Sequence, residues 1–150
     1  MDLSRLKWPL IIAIVVGGGW LVTDGGVRYM HGKFTEGEVG VDPKRDEMNE
    51  AGLTRLAGFL IKTFRYASAE KVILDALNRY PQGKNALFNE YRLAKCVEKQ
   101  GDYAQCVAIL QRLRDIDAHS YDDRIPERNV LQLRIDKLGE THELGEVGNL

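Results

Sequence analysis

The sequence predicts an all-α protein: one N-terminal apolar helix, then a short array of helical hairpins closed by a last helix. Three observations lead there. The spacing of large and small apolar residues between Leu53 and Pro81 recurs 37 residues further on. An uncharged apolar run from Trp8 to Val22 follows Arg5 and Lys7. Leu131, Ile135 and Leu138 then stand at the four- and three-residue spacing of one more amphipathic helix.

The first repeat reads Leu53-x2-Leu56-Ala57-x2-Leu60, then Tyr66, Ala69-x3-Ile73, Ala76 and Pro81. The second reads Glu90-x2-Leu93-Ala94-x2-Val97, then Tyr103, Cys106-x3-Leu110, Leu113 and Ala118. Two antiparallel helices cannot bury their apolar stripes alone, so small residues belong where backbones meet and large ones between hairpins. That assigns Ala57 opposite Ala69 and Ala94 opposite Cys106, with Leu60, Ile73, Val97 and Leu110 filling the space toward the next repeat. In the turn Lys99 to Tyr103, Gly101 suits the left-handed residue that ends one helix and Asp102 the cap that starts the next.

This pattern resembles the tetratricopeptide repeat family, whose signature is W-x2-L-G-x2-Y, then A-x3-F, then P. The resemblance covers roughly Asn49 to Ser120. It departs at the Trp site, held by Leu53 and Glu90, at the Gly site, Ala in both repeats, and in longer inter-helix loops. It implies a domain over 43–139, with repeats at about 50–83 and 87–120 and a capping helix over 126–138 ended by Gly139, followed by a tail over 140–150. It also implies a concave face lined by the first helix of each repeat. That projects Thr54, Gly58 and Ile61 from the first hairpin, and Phe88, Tyr91, Lys95 and Glu98 from the second, with Arg92 and Lys99 alongside. Phe88, Tyr91, Arg92, Lys95 and Lys99 are thus the candidate partner-binding residues, suited to a peptide or helix with apolar anchors and acidic groups. They serve equally as packing against the neighbouring helix.

Residues 1–27 read as a membrane anchor. Fifteen uncharged residues rise only about 22 Å as helix, against a hydrocarbon core of roughly 30 Å. Continuation through Thr23 and Asp24 to Val27 supplies the missing length, with Trp8 and Trp20 as interfacial belts. Ala13, Gly17 and Gly18 flatten one side of this helix for contact with another membrane helix, although glycine is common in such helices anyway. Residues 28–42 read as a juxtamembrane linker, after which Asp42 and Pro43 start a helix running toward Phe64. Signal-anchor logic places the N-terminus in the cytoplasm and the repeats across the membrane, as in bacterial membrane-anchored tetratricopeptide proteins beside the translocon.

A net charge of −1, with acids and bases interspersed, argues against a nucleic-acid partner. His31, His119 and His142 are scattered, and neither a phosphate loop, a metal-ligand spacing nor a nucleophile motif is present. The expectation is a non-enzyme without cofactor, metal or small-molecule substrate. Cys96 and Cys106, equidistant from Gly101, either form a cross-hairpin disulfide or act as small buried apolar groups. The functional expectation is a single-pass membrane scaffold or docking protein whose partners are other proteins, one of them met in the membrane through the anchor. The alternative is a structural accessory subunit built permanently into a respiratory, photosynthetic or transport complex.

Overall fold

A computed structural model describes residues 3–143, and every regular element among them is helical. The chain divides into two units, one ending at Gly37 and one beginning at Glu38. The first holds α1 (Leu3–Val22) and α2 (Asp24–Thr35). Here the structure corrects the sequence reading, because the helix does not run unbroken to Val27. Thr23 ends α1, donating its hydroxyl to the Trp20 carbonyl at 2.6 Å, and caps α2 by accepting from Gly26 N at 3.4 Å. A hydroxyl cap followed by Asp24 in the first turn is a helix start, and it overrides continuity of the apolar run. The Lys7–Trp20 stretch and α2 meet at 77°, with the Trp20 and Tyr29 rings 5.9 Å apart at the elbow. Residues 28–35, assigned from the sequence to a linker, are therefore helical. Among the described residues no single helix is long and apolar enough to cross a membrane, while this bent pair meets the requirement by length and composition.

The second unit runs α3 (Pro43–Lys62), α4 (Tyr66–Arg79), α5 (Ala86–Lys99), α6 (Tyr103–Asp115), a short 3-10 turn (Ala118–Ser120) and α7 (Arg128–Thr141). Asp42 starts α3 as expected, accepting from Lys44 N and Arg45 N ahead of Pro43. Consecutive helices pack on one another: α3 on α4, α4 on α5, α5 on α6 and α6 on α7. Most apolar residues at repeat spacing are buried, with Leu53, Ala57, Leu60, Ala69, Ile73, Cys106 and Leu110 fully enclosed and Ala94 and Val97 nearly so, whereas Tyr66 and Tyr103 are part-exposed and Pro81 is exposed. Ala57→Leu is accordingly expected to destabilise the domain by about 1–3 kcal/mol through overpacking. Ala67→Leu, on the exposed side of α4's first turn, should leave the melting temperature in place. Thermal unfolding of the two variants in detergent checks the register, and equal melting temperatures would contradict it.

Both hairpins turn by the same hydrogen bonds. Phe64 N donates to Ile61 O and Arg65 N to Leu60 O; 37 residues on, Gly101 N donates to Glu98 O and Asp102 N to Val97 O. The left-handed position belongs to Gly101 at φ 88° in the second turn and to Phe64 at φ 59° in the first. A side chain bearing a Cβ pays of order 1–3 kcal/mol there. The closing helix also differs from its sequence bounds. It starts at Arg128, after Pro126, and passes through Gly139 to Thr141. Glu143, at φ 48°, takes the left-handed turn instead. His142 stacks on Tyr103 of α6 with ring centroids 3.4 Å apart, pinning that last turn to the bundle. The tail read over 140–150 therefore loses 140–143 to this helix and its closing turn, and the remainder, 144–150, lies outside the described residues.

Candidate functional site

Helices α3 and α5 are joined by polar groups whose burial the sequence reading did not foresee. Glu50 of α3, 4% exposed, accepts from Asn85 N at 2.6 Å, so its carboxylate sits at the N-terminus of α5, where backbone N–H groups lack helical partners. Gly83 makes this approach possible, since a Cβ there would come within 2.6 Å of Glu50 Cδ. Thr54, expected on an open face, is buried instead. Its hydroxyl donates to Glu50 O at 2.9 Å and accepts from Asn89 Nδ2 at 3.0 Å. Asn89 is 1% exposed, and its Oδ1 has no hydrogen-bond partner among the described residues.

Arg92 extends the same interface outward. Its Nη1 donates to the Thr54 carbonyl at 2.6 Å. Gly58 leaves the space for this reach, because a Cβ there would stand 3.0 Å from Arg92 Nη2. The Arg92 guanidinium also lies 4.1 Å from the Phe88 ring centroid, and a second guanidinium, Arg124 from the loop before α7, lies 4.3 Å from the same ring. Arg124 is held by Asp122, with Nη2 to Oδ2 at 2.7 Å, and donates to Asn85 Oδ1 at 3.0 Å. Its hydrogen bond to Asp122 holds the guanidinium above its usual range, and the same bond holds the Asp122 carboxyl below its own. No carboxylate pairs with Arg92 among the described residues. Burial, and then the charge of Arg124, push its guanidinium below the usual value. Two cations thus lie against one aromatic ring, and one of them, Arg92, has no ion-pair partner among the described residues, a concentration of positive charge suited to an anionic group.

Tyr91 belongs to a different cluster. Arg134 of α7 donates to Tyr91 Oη at 3.3 Å and pairs with Glu98. Burial works against the Arg134 charge, but the hydrogen bond and charge of Glu98 outweigh it and hold the guanidinium high. The structure therefore separates the predicted stripe. Phe88 and Arg92 come together with Arg124, Tyr91 turns to Arg134 and Glu98, and Lys95 and Lys99 stand exposed on α5. Arg124 and Arg134 carried no sequence signal, since each reaches its partner only once the hairpins stack.

The cross-hairpin disulfide is not formed: Cys96 and Cys106 are both buried free thiols. Their surroundings differ. Cys106 Sγ points to Glu98 Oε2 at 3.8 Å, whereas Cys96 feels Glu70 of α4. Burial first, and then these carboxylates, push Cys96 up to about 11 and Cys106 up to about 12. Both thiols should resist alkylation in the native protein at neutral pH and react fully after denaturation; two unreactive cysteines after denaturation would restore the bridge. The same shifts set an alkaline limit. Unfolded thiols ionise near the ordinary value of 9.0 while folded ones keep their protons, so this contribution is complete below that pH. It is lost as pH rises toward about 11 to 12, and melting temperature should fall across that window.

In α1, Ala13, Gly17 and Gly18 are exposed, and a Cβ at either glycine would meet nothing within 4 Å. A cleft of about 760 Å³ between the end of α6 and the start of α7 is lined by Arg114, Asp117, His119, Glu127, Arg128, Asn129 and Gln132. None of the predicted site residues borders it. No cluster of His, Cys, Asp and Glu is placed to hold a metal ion among the described residues. No family model, curated protein or solved structure matches the chain.

Proposed function

We propose that this protein is a membrane-anchored docking module of tetratricopeptide type, with no chemistry of its own, whose inner helices receive an acidic segment of another protein. The single observation that carries the reading is the unpaired Arg92 guanidinium over Phe88, flanked by Arg124. A half-buried cation beside a like charge is costly by itself, and an acidic partner relieves that cost. Membrane attachment rests on α1, whose apolar side chains Trp8, Ile11, Ile14 and Val15 are exposed. The break at Thr23 gives the anchor an elbow, with the Trp20 and Tyr29 pair suited to the headgroup level. The repeats are assigned to the far side from the N-terminus on signal-anchor grounds.

The open faces of Ala13, Gly17 and Gly18 favour a second reading, a structural subunit held in a membrane complex through α1. Purification of the tagged full chain from native membranes separates the two. A docking module should lose its partner with rising salt and on changing Arg92, while Gly17→Leu with Gly18→Leu leaves the partner in place. A built-in subunit should show the reverse, and full retention by the Arg92 variant would remove the docking face.

A further inference from the structure

The first hairpin tip departs from the second at two adjacent positions. Where the second turn uses glycine in the left-handed conformation and an aspartate whose carboxylate caps α6 through Gln105 N at 3.0 Å, the first has Phe64 and Arg65. Arg65 precedes α4 without a side-chain cap, and Phe64 holds a positive φ that disfavours every residue with a Cβ. Both exchanges oppose local stability. Burial does not compensate, because Phe64 is 78% exposed, with the Tyr66 ring in T-shaped contact at 6.3 Å between centroids. Lys62 is exposed beside it. The two tips lie at the same end of the array, since Gln100 Nε2 donates to Glu70 Oε2 at 2.6 Å, which brings the exposed Lys99 to this end as well.

We propose that the Lys62–Tyr66 tip is a second membrane contact, Phe64 entering the interface of an anionic bilayer while Lys62 and Arg65 face the headgroups. An exposed aromatic with cations on both sides matches the chemistry of that interface, apolar beneath and negatively charged above. One aromatic and two cations bind a membrane only marginally from free solution. The tether changes this, and here the proposal rests on the anchor reading. Seven residues, 36–42, separate α2 from α3 and extend to at most about 24 Å. α3 itself is about 30 Å long, so the linker permits the helix to tilt and bring its far end to the surface. A tether this short supplies an effective concentration of about millimolar, enough for a weak contact to form repeatedly.

The test uses the full chain reconstituted into vesicles of phosphatidylcholine alone or mixed with phosphatidylglycerol. An environment-sensitive nitrobenzoxadiazole dye is attached at Ala67→Cys, an exposed position three residues from Phe64, while the native cysteines stay buried and unlabelled. The expected result is a several-fold rise in dye emission on phosphatidylglycerol vesicles only, reduced by salt. Adding Phe64→Gly and Arg65→Asp, which copies the second turn into the first, should abolish that rise while the melting temperature stays level or increases. Flotation of the protein with unchanged emission overturns the tip contact and leaves the anchor standing. Failure to float overturns the anchor and, with it, the tether on which the tip depends. A rise seen in native membranes but not in pure lipid assigns the tip to a protein and also overturns the proposal, as does a turn variant that melts below the unsubstituted chain.

Discussion

Leu110→Ala should be the most damaging single truncation in the repeat domain, costing about 3–5 kcal/mol. Leu110 is 0% exposed on α6, the helix that packs on both α5 and α7, so helices on two sides resist collapse into the space the side chain leaves. Partial relaxation adds a cavity cost to the lost transfer energy, which is why enclosed leucines fall at the upper end of the usual range. A domain of this size has a total stability of roughly 5–15 kcal/mol, so the variant gives up a large share of it. Leu133→Ala is the control. Leu133 is 68% exposed on α7, and its truncation should change stability by no more than about 0.5 kcal/mol. Denaturant unfolding of both full-length variants in detergent, followed by far-ultraviolet dichroism, compares them, and similar midpoints would remove Leu110 from the core.

Arg92→Gln should have the largest effect on partner binding. Arginine anchors at interface centres typically contribute about 2–4 kcal/mol, or roughly 30- to 1,000-fold in affinity. Glutamine is two atoms too short to reach the Thr54 carbonyl that Arg92 reaches at 2.6 Å, but the lost hydrogen bond, about 1 kcal/mol, is offset by removal of a half-buried charge that lies beside Arg124. The melting temperature of Arg92→Gln should therefore stay close to wild type. The amount of partner retained on the purified chain should fall by an order of magnitude or more, and its salt dependence should flatten. Loss of binding together with loss of fold would mark Arg92 as structural, and unchanged binding at every salt concentration would place the contact elsewhere.

Phe64 shows how local and non-local information divide in this chain. Its left-handed turn could have been read from the 37-residue register, which aligns it with Gly101, but nothing in a phenylalanine announces a positive φ. The turn is imposed by the two helices it joins. Glu50 is similar: an acid near the start of a charged helix reads as solvated surface, yet it is buried because Gly83 and Asn85 close over it.

By itself the sequence determined the helical character of the domain, the register of its two hairpins, the start of α3 at Asp42 and Pro43, and the turn at Gly101 and Asp102. The helical character, the start of α3 and the turn depend on residues within about one or two turns of one another, where side-chain spacing and backbone preference act directly. The register depends on a spacing that recurs 37 residues on. Only the tertiary structure decided that Arg124 joins Arg92 over Phe88, that Arg134 takes Tyr91 and Glu98 away from the predicted face, and that Cys96 and Cys106 have different neighbours. It also placed the elbow at Thr23, where one hydroxyl cap outweighs the continuity of an apolar run. The partners in these side-chain clusters stand up to 43 residues apart in the chain, as Tyr91 and Arg134 do. Their meeting is set by how each hairpin stacks on the next, a geometry that local periodicity requires in outline without specifying which polar side chains face one another across the seam.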